Sequence, residues 1–285
     1  MRRSEPNARI RFRENDAYRV DREWLRLEGT AQRDLFREIR ARFLARHRGR
    51  GRWALDAGSG PGRFTIDVGA SDARRVAADI GREALVQLKE RWPAGVPTPD
   101  RVRSDLVGAP FAEAAFGTVV ALGNLVGFAG PESEHLIERL VSLVGPTGTI
   151  LLEIAPGPGE RSRYLRRLPT GAVGRLLRAP TRAILPRVTR EGFDPVPARR
   201  RAGPEFRRWD PGTLAHLLEV AGFDVREIRA VAPTLGADPE RIEAIAHDPV
   251  GWAHLLELEE SVGGTPARWP KAAAVLLAAE RRSEG

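Results

Sequence analysis

Apolar and polar positions alternate along this chain with two different periods. Over residues 17–48, Leu25, Leu35, Phe36, Ile39, Phe43 and Leu44 fall at helical spacing. Gly29-Thr30 divides this stretch into two predicted helices, with Thr30 suited to cap the second. Gly49-Arg50-Gly51 ends the arm. Strand-like runs then alternate with helical ones. Trp53–Asp56, Arg75–Asp79, Arg101–Asp105, Thr118–Leu122 and Thr149–Ile154 read as strands. Arg82–Arg91 and Ser133–Val144 read as helices between them. This alternation predicts an α/β fold, a mostly parallel sheet with helices on both faces.

Residues 155–209 break the rhythm with eight prolines. It resumes with a helix over Pro211–Ala221, capped by Asp210 and stopped by Gly222. A strand over Phe223–Val231, helices over 238–247 and 249–262, and a last strand over Ala272–Ala279 complete the pattern. The organisation expected is a helical arm over 1–52 and one domain over 53–285. Residues 161–209 form an Arg/Pro-rich insertion after strand five.

Composition narrows the chemistry. The 285 residues contain no cysteine, which excludes disulfides, thiolate nucleophiles and Cys-ligated metals. A cysteine-free chain fits the cytoplasm. The five histidines form no H-x-x-x-H pair, so no metal site is expected. No apolar run approaches the ~20 residues of a membrane span. The first sixteen residues carry charge but no apolar core of a secretory signal. The net charge of +8 is segregated: +8 over 1–52, −5 over 53–160, +11 over 161–209 and −6 over 210–285.

The stretch Ala54-Leu-Asp-Ala-Gly-Ser-Gly-Pro-Gly-Arg-Phe64 follows the first strand. A dinucleotide fingerprint would require a third glycine where Arg63 stands. The pattern present is Asp-x-Gly-x-Gly-x-Gly, from Asp56, Gly58, Gly60 and Gly62. Asp79 ends the second strand, Asp105 and Leu106 follow the third, and Gly123-Asn124 follows the fourth. Together these resemble the class I S-adenosylmethionine-dependent methyltransferases.

The resemblance implies a seven-stranded Rossmann-like sheet whose last strand is reversed, with S-adenosylmethionine as cofactor. It implies that Asp56, Ala57, Gly58, Ser59, Gly60 and Gly62 cradle the cofactor. Asp79, with Ile80 beside it, would hold the ribose hydroxyls. Asp105 and Leu106 would flank the adenine, and Gly123 and Asn124 would floor the site. Arm helices lie over the cofactor in such proteins. Tyr18, Trp24, Glu28, Gly29 and Arg33 are the candidates here, Arg33 as partner of the cofactor carboxylate. Many members also have an acid where this chain has Gly117.

Methyl transfer from an activated donor needs positioning more than a catalytic triad. Candidate acceptor-side residues are Asn124, Phe128, Glu153 and Tyr164, with Glu153 the candidate base. The resemblance implies that the insertion over 161–209 is a substrate cap, and its Arg excess favours a small, anionic or carboxylated acceptor. An RNA- or ribosome-directed enzyme, or an RNA-binding module on the same scaffold, is the alternative.

Overall fold

A computed structural model describes residues 29–156, 160–191, 193–195, 207–235, 238–272 and 274–283. The first predicted arm helix, with Tyr18, Trp24 and Glu28, lies outside them.

The second arm helix, α1 (Ala31–His47), begins where Thr30 accepts a hydrogen bond from the Arg33 amide. The strands are β1 (Trp53–Ala57), β2 (Arg74–Asp79), β3 (Asp100–Arg103), β4 (Phe116–Ala121), β5 (Val144–Ile154), β8 (Phe223–Ala230) and β9 (Val275–Arg281). They form one sheet in the order β3-β2-β1-β4-β5-β9-β8. Pairing is parallel from β3 through β5, and β9 runs antiparallel to both its neighbours. The last strand alone is therefore reversed. Helices α2 (Arg82–Glu90), α3 (Leu125–Phe128), α4 (Ser133–Ser142), α8 (Pro211–Val220), α9 (Pro239–Ala246) and α10 (Pro249–Gly263) make the remaining main-domain connections.

The alternation within each strand sorts the core into two layers. Ala54, Val120, Leu151, Leu276 and Ala278 face Leu35, Ile39 and Phe43 of α1 and the apolar sides of α9 and α10. Leu55, Val119, Ile150, Leu152 and Leu277 face Leu136 and Leu140 of α4 and Leu214 and Leu218 of α8.

The insertion folds as β6 (Glu160–Ser162), α5 (Arg163–Arg167), α6 (Thr170–Leu176), α7 (Thr181–Glu191) and β7 (Phe193–Pro195), with β6 and β7 paired antiparallel. Leu165, Val173, Leu177, Ile184 and Val188 pack in the same core layer as Ile242, Ile245, Leu255 and Leu258 of α9 and α10. The residue after β5 and the far end of the insertion are both tied to the segment after β4. The Ala155 amide donates to Asn124 Oδ1 at 3.0 Å, and the Arg207 amide to the Gly127 carbonyl at 2.8 Å.

The structure gives a steric reason for Gly117. The arm backbone crosses directly over β4 there. A Cβ at Gly117 would lie 2.5 Å from the Arg50 carbonyl oxygen and 2.7 Å from the Gly51 Cα. No side chain fits without moving backbone. Among the described residues, no helix is long and apolar enough to cross a membrane.

Gly117→Ala is expected to destabilise the fold by about 1–3 kcal/mol through overpacking. Urea unfolding monitored by circular dichroism measures it.

Candidate functional site

The candidate site lies at the carboxyl ends of β1, β2, β4 and β5, where open α/β sheets receive ligands. The turn after β1 is held by β2: the Gly58 and Ser59 amides donate to the Ala78 carbonyl at 2.8 and 3.1 Å. Gly58 and Gly62 have positive φ, and a Cβ at either would press into Leu125 or Leu88 at 2.7 or 2.6 Å. A Cβ at Gly60 or Gly123 would meet nothing within 4 Å. Two glycines of the turn are thus packed shut against the core. Gly60 and Gly123 instead leave backbone open to a ligand.

Asp79 ends β2 and sets the shape of this turn. Its carboxylate accepts from the Gly60 amide at 2.8 Å and the Gly81 amide at 2.7 Å. These two amides fix the orientation of the carboxylate at the strand end. Ile80, Arg103, Ser104 and Asp105 line a neighbouring depression of about 240 Å³. Asp105 Oδ1 accepts from the Val107 amide at 3.2 Å and caps a short turn, and Leu106 is buried behind it. The structure therefore brings Asp79, Ile80 and Asp105 together beside the glycine turn. An acid, an open backbone cradle and a depression at the β2–β3 edge suit a nucleoside cofactor with a vicinal diol.

Asp56 faces inward. It is buried at the end of β1, and the Thr65 hydroxyl donates to its Oδ2 at 2.6 Å. Burial raises its carboxyl to about 7; the Thr65 hydrogen bond opposes this, and the nearby Asp79 and Asp67 add to it. Asp56 thus braces the residues leaving the glycine turn. Ala57 is fully buried, and Ser59 is nearly so, with its hydroxyl on the Gly60 carbonyl.

The predicted catalytic residues have other employment. Glu153 was the candidate base. It is 5% exposed, and Arg40 grips it in a two-bond fork, Nε to Oε2 at 2.8 Å and Nη2 to Oε1 at 2.7 Å. The Gly123 amide also donates to Oε2, at 3.3 Å. Burial works to raise the Glu153 carboxyl, but the Arg40 charge and these hydrogen bonds outweigh it and hold it below the usual range. A carboxylate so stabilised is a poor base. Asn124 is in the left-handed conformation, and its carboxamide oxygen serves the Ala155 amide. Tyr164 belongs to the packing of the insertion, with its hydroxyl accepting from Arg187 at 3.5 Å. Phe128 closes α3.

Arg33 lies in the first turn of α1, and the guanidinium that reaches the strand ends is that of Arg40, two turns further along. That spacing places both on one helix face. Sequence reasoning missed Arg40, Thr65 and the buried Glu259, whose carboxylate accepts from the Thr234 and Leu235 amides at 2.7 Å each. The seven-residue interval from Arg33 was the only signal for Arg40. Among the described residues, no group of three or more His, Asp or Glu side chains could hold a metal ion.

Comparison with solved structures places this architecture in a known class. Magnesium protoporphyrin IX methyltransferase from Synechocystis PCC 6803 superposes with a TM-score of 0.56 at 14% identity, covering 96% of this chain and 100% of that one. The 1,6-didemethyltoxoflavin-N1-methyltransferase of Burkholderia thailandensis gives 0.51 at 18% identity, covering 96% and 86%. A putative methyltransferase of Haloferax volcanii, solved with the Trm112 methyltransferase activator, gives 0.53 at 16% identity, covering 95% and 97%. The fold is that of the class I S-adenosylmethionine-dependent methyltransferases. Residues 54–148 match the family model described as a methyltransferase domain, so the chain carries such a domain from β1 into β5. No curated protein matches the chain in a sequence search.

The raised Asp56 carboxyl has a consequence for stability. Its proton is held more tightly in the folded state than in the unfolded one, where the usual value is 3.8. Its contribution is therefore greatest below that value and is lost as pH rises through about 7. Melting temperature is expected to fall across this interval, and Asp56→Asn to flatten the slope. Calorimetric scans at stepped pH measure both.

Proposed function

We propose that this protein binds S-adenosylmethionine at the carboxyl edge of β1, β2 and β4 and transfers its methyl group to a small acceptor. The observation that carries the reading is the Asp79 carboxylate fixed by the Gly60 and Gly81 amides beside an open glycine turn. In this reading Asp79 receives the ribose hydroxyls. Gly60 approaches the amino-acid end through backbone, on a turn whose course Gly58, Ser59 and Gly62 set. Ile80, Asp105 and Leu106 border the base, and Gly123 and Asn124 form the floor.

When bound, the cofactor supplies a methyl group already activated by a sulfonium. The protein's share of the work is orientation and exclusion of water. With Glu153 held ionised by Arg40, no base at the end of β5 enters this reading. An acceptor that is already nucleophilic suits such a site.

The acceptor approaches from the side of the insertion, whose far end is anchored at Gly127 through the Arg207 amide. The exposed Arg175, Arg182 and Arg190 on its helices favour an anionic acceptor. Affinity of a small anion for this region should weaken moderately with salt. RNA binding would weaken far more steeply.

Isothermal titration of S-adenosylhomocysteine into the full chain tests the cofactor reading. Saturable 1:1 binding is expected. Asp79→Ala is expected to weaken it by about 1–3 kcal/mol, the effect of removing a charged hydrogen-bonding partner. Absence of binding to the wild-type chain would overturn the reading. Unaltered affinity in the variant would remove Asp79 from the site.

A further inference from the structure

We infer that the buried Arg40–Glu153 pair is a positioning device, which couples docking of the arm helix α1 to the shape of the cofactor floor. The inference builds on the cofactor reading above and concerns residues outside the expected cofactor contacts.

The pair touches three walls of the site at once. Glu153 stands near the end of β5, and its Oε2 accepts both Arg40 Nε and the Gly123 amide. Gly123 and Asn124 are consecutive residues with φ of 68° and 63°, a left-handed turn that these two residue types permit but do not by themselves fix. Arg40 also donates from Nη1 to the Phe36 carbonyl one turn back in α1, at 3.1 Å. Its guanidinium lies 5.7 Å from the centre of the Phe36 ring and 6.0 Å from that of Phe64. Phe64 is where the chain leaves the glycine turn. Arm, glycine turn and the loop after β4 therefore meet on one guanidinium and one carboxylate.

Stability alone does not account for this arrangement. Replacing a buried ion pair by well-packed apolar residues is often neutral or stabilising, because both charges lose their hydration. An apolar pair could fill the same volume and hold α1 by packing. It could not accept the Gly123 hydrogen bond. The ionised Glu153 can, and the Arg40 fork is what keeps Glu153 ionised and correctly turned. Arg40 thus acts on the floor through Glu153.

Two variants of the full chain test this, with two readouts: hydrogen exchange over residues 122–126, and the Kd for S-adenosylhomocysteine. Arg40→Met with Glu153→Leu removes both charges, so neither is stranded. It is expected to fold, to speed exchange at Gly123, and to raise the Kd roughly 10- to 100-fold, as for loss of a hydrogen bond to a charged group. Arg40→Lys keeps the charge but loses the planar fork. It is expected to give a smaller change of the same sign in both readouts, and it decides the matter should the double variant fail to fold. Unaltered exchange at Gly123 would overturn the coupling. Faster exchange with unaltered Kd would overturn its relevance to the cofactor. A wild-type chain that binds no S-adenosylhomocysteine would instead sink the cofactor reading, while the exchange comparison would still judge the coupling.

Discussion

The carboxyl edge of the sheet depends on one recurring interaction, a loop amide held by a nearby side-chain oxygen. Loops rich in glycine and in left-handed residues do not fix their own conformation, and their N–H groups need acceptors. Asp79 receives Gly60 and Gly81, Asp105 receives Val107, Glu153 receives Gly123, and Asn124 receives Ala155. Each acceptor sits at or just beyond the end of a strand, so the sheet sets its position. The sheet is rigid because both its faces are covered. The loops inherit that rigidity through four side chains, and the candidate site is the space they leave between them.

The segregated charge finds its explanation in the packing. The basic arm and insertion lie against the acidic stretch that contributes β8, α9 and α10. Arg46 pairs with Glu227 and Glu260, and His47 also meets Glu227. Arg178 pairs with Asp248 across the insertion. Burial works to raise the Glu227 carboxyl, yet the His47 hydrogen bond and the charges of Arg229 and Arg46 outweigh it and pull it down to about 2. Part of the positive charge of the arm and insertion is thus matched by acids of the stretch 210–285, in pairs that are individually weak where exposed. Among the described residues, the exposed Arg175, Arg182 and Arg190 favour an anionic acceptor.

Most of the architecture was legible in the order of apolar runs. The central strands were expected close to where they lie, because a buried strand of a parallel sheet needs a short, almost unbroken apolar run, whereas the polar edge strands β3 and β8 were placed by the alternation with helices. Thr30, Asp210 and the glycine turn were legible because capping and positive φ restrict residue types strongly. Asp79 and Asp105 were legible by their places at strand ends. The roles of Glu153 and Asn124 were not. A carboxylate at a strand end can be a base or a salt-bridge partner, and only the position of Arg40, 113 residues earlier in the chain, decides between them.

The sequence by itself determined the sheet, its mostly parallel character, the interruption after strand five and the glycine turn with its acid. These follow from local periodicity and from backbone conformations that few residues tolerate. Tertiary structure decided which side chains face which. It turned Asp56 inward to Thr65, gave Glu153 to Arg40, laid the arm backbone on Gly117 and matched basic segments to acidic ones. The physical reason is that a charge or hydrogen bond takes its character from what lies within a few ångströms, and those neighbours come from distant parts of the chain.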